Sequence, residues 1–135
     1  MEKKILVIED DPATSRLVDY SLRHEGYTVL SASNGLEGIR KAHNEAPDLV
    51  ILDVMLPGMD GFEICARLRA EPATAWLPIL MFSAKAQEID KDIGLKVGAD
   101  DYLPKPAAPA EIVSRVAKLL AKKKRNARTQ EKVSG

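Results

Sequence analysis

The chain has 135 residues, of which 45% are hydrophobic and 30% charged, a size and balance that suit one globular domain and exclude a disordered chain. Its formal net charge is zero, yet Lys122, Lys123, Lys124, Arg125, Arg128 and Lys132 stand against Glu131 alone in residues 122–135, so a tail of +5 follows a body of −5, which argues against a nucleic-acid-binding domain. Apolar runs are too short to cross a bilayer, acids break the N-terminal run before any cleavage site, and Cys65 is the single cysteine; a cytoplasmic, reducing setting is expected.

The first predicted element is a strand in "KKILVI", residues 3–8, and three acids follow it directly: Glu9, Asp10 and Asp11. Asp11-Pro12 reads as a helix N-cap with proline at the first helical position. Leu17, Val18, Ser21 and Leu22 form the stripe of that helix, and Gly26 stops it. A second strand is expected in "YTVLSA" (27–32) and a third in "PDLVILD" (47–53), which ends on Asp53. Asp60, with Glu63 three residues on, resembles a capping box. Residues 71–78, "EPATAWLP", form a long connection to the fourth strand, "LPILMFS" (77–83), which ends on Ser83. The fifth strand, "DDYLP" (100–104), is followed by Lys105. Pro109 opens the last helix, with Ile112, Val113, Val116, Ala117 and Leu120 as its stripe.

Strands starting about 20–30 residues apart match the length of a βαβ step. Leu49–Leu52 and Ile79–Phe82 are continuously apolar, as parallel strands covered on both faces are. The expected fold is an α/β (βα)5 doubly wound parallel sheet, with one domain over residues 1–121. Residues 122–135 form a basic polar tail that either prolongs the last helix or is disordered.

In open parallel sheets, ligands bind outside the carboxyl ends of the strands. Four strand ends here supply acids, a hydroxyl and an amine: Glu9, Asp10 and Asp11; Asp53; Ser83; and Lys105. If the first and third strands are neighbours, Asp10 and Asp53 face each other, and a hard divalent cation such as Mg²⁺ relieves their repulsion. Such a cation attracts a phosphoryl group. Lys105 can pair with another phosphoryl oxygen, Ser83 can donate to it, and Asp53 can act as the nucleophile of an aspartyl-phosphate. Asp11 is read as a helix cap rather than a ligand. Trp76, Phe62 and Met81 are assigned to packing, and His24 and His43 to solvated helix positions.

"ILVIEDD", "LVILDVMLPGMDGFEI", "PILMFSA" and "GADDYLPKP" closely resemble the receiver domains of two-component response regulators, of the stand-alone, chemotaxis-regulator-like kind, over residues 3 to about 121. The resemblance implies a flavodoxin-like fold with strand order 2-1-3-4-5. It implies that Asp53 is the phosphoacceptor, served by a histidine kinase or histidine phosphotransfer protein. By matching position, Asp10, Asp53 and the backbone carbonyl of Met55 would bind Mg²⁺ (with Mn²⁺ as a substitute), and Glu9 would hold a metal-bound water. Ser83, the backbone N–H of Ala84 and Lys105 would bind the phosphoryl group. Ser83 and Tyr102 take the switch positions, and Pro106 follows a cis peptide bond. Phosphorylation would draw Ser83 toward the new oxygens and let Tyr102 turn inward. The face of the fourth helix, fifth strand and fifth helix would then be read by a downstream protein or a second copy in a homodimer. Ala107 and Ala108 depart from the family, which often has a large apolar residue there. Met55 and Lys85 lie where the family tunes phosphate lifetime.

Other functions fit less well. A haloacid-dehalogenase-type phosphatase needs an acid two residues after its nucleophile, where Met55 stands. A flavodoxin phosphate loop needs hydroxyls and N–H groups where "EDDPAT" offers anions. No recognition-helix domain is present for DNA binding by this chain. The remaining alternative is a degenerate receiver, a binding module independent of phosphorylation. As a receiver the chain would not be an enzyme beyond Mg²⁺-dependent self-phosphorylation and dephosphorylation.

Overall fold

The computed structural model describes residues 2–134, with side chains as far as Lys122. Strands and helices alternate: β1 (Lys4–Ile8), α1 (Pro12–His24), β2 (Thr28–Ala32), α2 (Gly35–Asn44), β3 (Leu49–Leu52), α3 (Gly61–Ala70), β4 (Ile79–Ser83), α4 (Glu88–Val97), β5 (Asp101–Pro104) and α5 (Pro109–Ser134). The strands form one parallel sheet in the order β2-β1-β3-β4-β5. This is the flavodoxin-like doubly wound arrangement, with β2 and β5 at the edges.

Strand periodicity sorts the core into two halves, because successive side chains point to opposite faces. Ile5, Val7, Leu49, Ile51, Leu80, Phe82 and Leu103 point to one side, where Val18 and Leu22 of α1 and Ile112, Val116 and Leu119 of α5 cover them. Leu6, Ile8, Val50, Leu52, Ile79, Met81 and Tyr102 point to the other, under Ala42 of α2, Ile64, Cys65 and Leu68 of α3, and Ala99 just after α4. Covering both faces explains why the β3 and β4 sequences are unbroken apolar runs.

The helix starts obey local chemistry. Asp11 caps α1, its carboxylate accepting from the Thr14 N–H at 3.0 Å and the Thr14 hydroxyl at 2.6 Å. Asp60 caps α3 by accepting from the Glu63 N–H at 3.0 Å. The capping box is only half made, because the Glu63 carboxylate pairs with Arg67 instead. Two stripes differ from their sequence reading. Leu17 is exposed, leaving Val18, Ser21 and Leu22 as the buried edge of α1. In α5 the buried positions are Ile112, Val116 and Leu119, while Ala117 faces outward. The connection over residues 71–78 folds back on α3, with the buried Thr74 hydroxyl donating to the Leu68 carbonyl at 2.7 Å. Met81 is buried, Phe62 half-buried and Trp76 half-exposed. The tail reading concerns side chains beyond Lys122, which lie outside the described residues. Among the described residues, no helix is long and apolar enough to cross a membrane.

Candidate functional site

The sheet register builds the site. Ile8 pairs with Leu52, so Glu9 and Asp53 leave adjacent parallel strands side by side. The Glu9 N–H donates to the Ala32 carbonyl at 2.9 Å and the Asp53 N–H to the Ile8 carbonyl at 3.1 Å, which prolongs the ladder one residue and fixes both backbones. Glu9 and Asp53 are buried, and Asp10 is exposed beside them. One carboxylate oxygen from each of the three lies within 4.8 Å of the others. Asp11, the remaining acid of the opening run, is engaged as the α1 cap, and its bonds to Thr14 hold its carboxyl below the usual range.

Lys105 reaches this cluster from the end of β5. Its Nζ donates to Glu9 Oε1 at 2.6 Å and to Asp53 Oδ2 at 3.2 Å, and it lies 5.5 Å from the centre of the Phe82 ring. Burial pushes the Glu9 carboxyl up to about 7; the bond from Lys105 and the Asp11 N–H pull it down, and the Asp53 charge pushes it up. For Lys105, burial works against the charged form, but its bond to Glu9 and the nearby acids outweigh this and raise its pKa.

The loop after β3 holds the Asp53 side chain from the other direction. The Met55 N–H donates to Asp53 Oδ1 at 3.1 Å. The loop closes where the Gly61 N–H meets the Val54 carbonyl at 2.9 Å. A Cβ at Gly61 would lie 2.4 Å from the Asp53 carbonyl oxygen and 2.6 Å from Val54 Cα. Only glycine lets α3 begin this close to β3.

The β4–β5 wall carries the other predicted residues. Ser83 is fully buried, and its hydroxyl oxygen accepts from the Lys85 N–H at 3.2 Å. Ala84 is exposed at the rim. Tyr102 is buried with its ring turned inward, and its hydroxyl donates to the Lys85 carbonyl. The Lys105–Pro106 peptide bond is cis, and the Lys105 N–H donates to the Ser83 carbonyl at 2.9 Å.

The family model for the response regulator receiver domain matches residues 5–117. The chain belongs to that family. It is 48% identical over 120 residues to the alkaline phosphatase synthesis transcriptional regulatory protein PhoP of Bacillus subtilis strain 168, covering 89% of this chain and 49% of that protein. The chain therefore spans about half the length of that curated relative. Among solved structures, a CheY-like response regulator receiver domain from Methanospirillum hungatei JF-1 superposes with a TM-score of 0.88 at 28% identity, covering 93% of this chain and 99% of that one. The receiver domain of sensor histidine kinase PA1611 from Pseudomonas aeruginosa PAO1, solved with a magnesium ion coordinated in its active-site cleft, superposes at 0.83 with 29% identity, covering 90% of this chain and 99% of that one.

In this receiver the donors suit a hard divalent cation. Three converging carboxylates offer only oxygen, and among the described residues Lys105 is the cation that pairs with them. Receivers as a family bind Mg²⁺ in such an acidic pocket. Sequence reasoning did not find Gly61, nor the Lys85 carbonyl that receives Tyr102. Neither carries a chemical signal in the sequence, since what Gly61 relieves and what Lys85 accepts depend on tertiary packing. Cys65 has no place in the site: it is buried, and burial pushes its thiol up to about 11.

Proposed function

We propose that this receiver accepts a phosphoryl group on Asp53 from a histidine kinase or histidine phosphotransfer protein. The observation that carries the reading is the convergence of Lys105, Glu9, Asp10 and Asp53 from three separate strand ends. An Asp53 carboxylate oxygen forms the new bond to phosphorus as the bond from phosphorus to the donor's histidine nitrogen breaks. Asp10, Asp53 and the Met55 carbonyl would hold Mg²⁺, with Glu9 acting through a water, and the cation would neutralise phosphoryl charge. Lys105 exchanges a carboxylate partner for a phosphoryl oxygen, and Ser83 and the Ala84 N–H bind the others. Catalysis is then mostly positioning and charge neutralisation, so small phosphodonors can substitute for the kinase.

The phosphoryl group adds roughly −1.5 to −2 charge beside Ser83. Ser83 moves toward it, and the inward Tyr102, seen here in the Ser83-side core, is the arrangement this stabilises. The face of α4, β5 and α5 reports the change. There Ile89 and Ile93 are exposed on α4, and Arg115 bonds Asp101 at 2.8 Å. A downstream protein or a second copy of the chain reads this face in the cytoplasm. Residues 1–121 form the phosphorylatable unit, with 122–135 as an appended basic segment.

Incubation with Mg²⁺ and acetyl phosphate, followed by intact mass, tests the proposal. A labile gain of one phosphoryl group is expected in the wild type and none in Asp53→Asn. A wild type that stays unlabelled would leave the phosphorylation-independent module as the better reading.

A further inference from the structure

Gly94 occupies the interior of α4, where glycine is among the poorest residues for helix stability. It is buried, so no surface requirement explains it. A Cβ built there would lie 2.9 Å from Met81 Sδ, 2.9 Å from Tyr102 Cδ2 and 3.2 Å from Tyr102 Cε2. A single methyl group would therefore be wedged between the Met81 thioether and the edge of the Tyr102 ring.

The two neighbours differ in their freedom to give way. Met81 is fully buried on β4, an interior strand flanked by β3 and β5. Tyr102 sits on β5, at the edge of the sheet. Its ring is held inward by packing and by the hydroxyl bond to the Lys85 carbonyl. Rotation about χ1 gives an edge-strand aromatic a staggered position toward solvent. Relief of the clash falls on the ring.

We propose that the missing side chain at Gly94 is what admits the Tyr102 ring to its inward position, making Gly94 a positioning residue for the switch. Its regulatory meaning rests on the reading of Asp53 as phosphoryl acceptor; the slot itself does not. A side chain at 94 removes the inward arrangement and leaves the Asp53 pocket without its aromatic reporter.

Fluorotyrosine labelling separates these statements. The chain has three tyrosines, Tyr20, Tyr27 and Tyr102, and Tyr102→Phe assigns the third fluorine resonance. In Gly94→Ala that resonance is expected to move to a solvent-exposed shift and to broaden with a soluble paramagnetic agent. A resonance that keeps its wild-type shift and protection would overturn the proposal. Thermal melts provide a second arm that survives poor folding of the single variant. Alanine favours helix over glycine, so adding Gly94→Ala to Tyr102→Ala should raise Tm by about 2–4 °C. A lower Tm in that background would show that Met81, not the ring, requires the glycine, and would overturn the proposal. Mg²⁺ with beryllofluoride then addresses the switch. If the wild-type Tyr102 resonance ignores the phosphoryl mimic, the reading of Asp53 and Tyr102 as coupled fails, while the first two comparisons still decide the slot.

Discussion

Asp10 is the solvent-facing member of a trio whose other two carboxylates are buried. With Lys105 already shared between Glu9 and Asp53, its charge adds repulsion and little compensation. Replacing it by asparagine should raise Tm without divalent ions and remove most of the stabilisation that Mg²⁺ confers on the wild type. That stabilisation is about 1.4 kcal/mol at ten times the dissociation constant. A Mg²⁺ titration followed by calorimetry checks both halves; an unchanged Mg²⁺ response in Asp10→Asn would remove it from the ligand set. Asp10, Asp53, Ser83 and Lys105 were readable in the sequence because each is a polar residue following an apolar run. Asp11 was readable as a cap because proline follows it. Gly61 and Gly94 were not: each is defined by a neighbour distant in sequence that a Cβ would strike.

Among the elements, the end of α3 is tied to the turn between α4 and β5 by one side chain. Arg69 donates to the Gly98 carbonyl at 2.8 and 3.0 Å, to the Ala75 carbonyl at 2.9 Å and to Asp100 at 2.9 Å, while Asp100 also accepts from the Ile79 N–H at 2.8 Å. These are charge-assisted bonds on a partly buried guanidinium, and losing them strands several acceptors. Arg69→Ala should lower stability by about 2–4 kcal/mol, read as a reduced urea midpoint at unchanged slope. A loss within a few tenths would mean that water replaces the arginine without penalty. Strand positions followed directly from the apolar runs, but helix faces were less legible. Leu17 and Ala117 were assigned inward and face out, because a short stripe tolerates a rotation of one residue and only contact with the sheet fixes it.

At the scale of the molecule, α5 supplies the last buried members of the core half it covers: Leu119 is buried and Leu120 packs against the same cluster. A chain ending at residue 121 should thus keep its Tm within about 2 °C and still label with acetyl phosphate, since it retains every described member of both core clusters. A large drop in Tm would give the basic segment a structural role. The fold class was legible because five apolar runs alternate with helical spacing; the pairing of β1 with β3 came from resemblance, since order across a sheet leaves no local trace. The Lys105–Glu9 bond joins residues 96 positions apart. A growing chain on the ribosome therefore has no Lys105 beside Glu9 and Asp53 until β5 has emerged and docked. Under the proposed phosphorylation of Asp53, copies in which β5 has not yet docked would not respond to a phosphodonor.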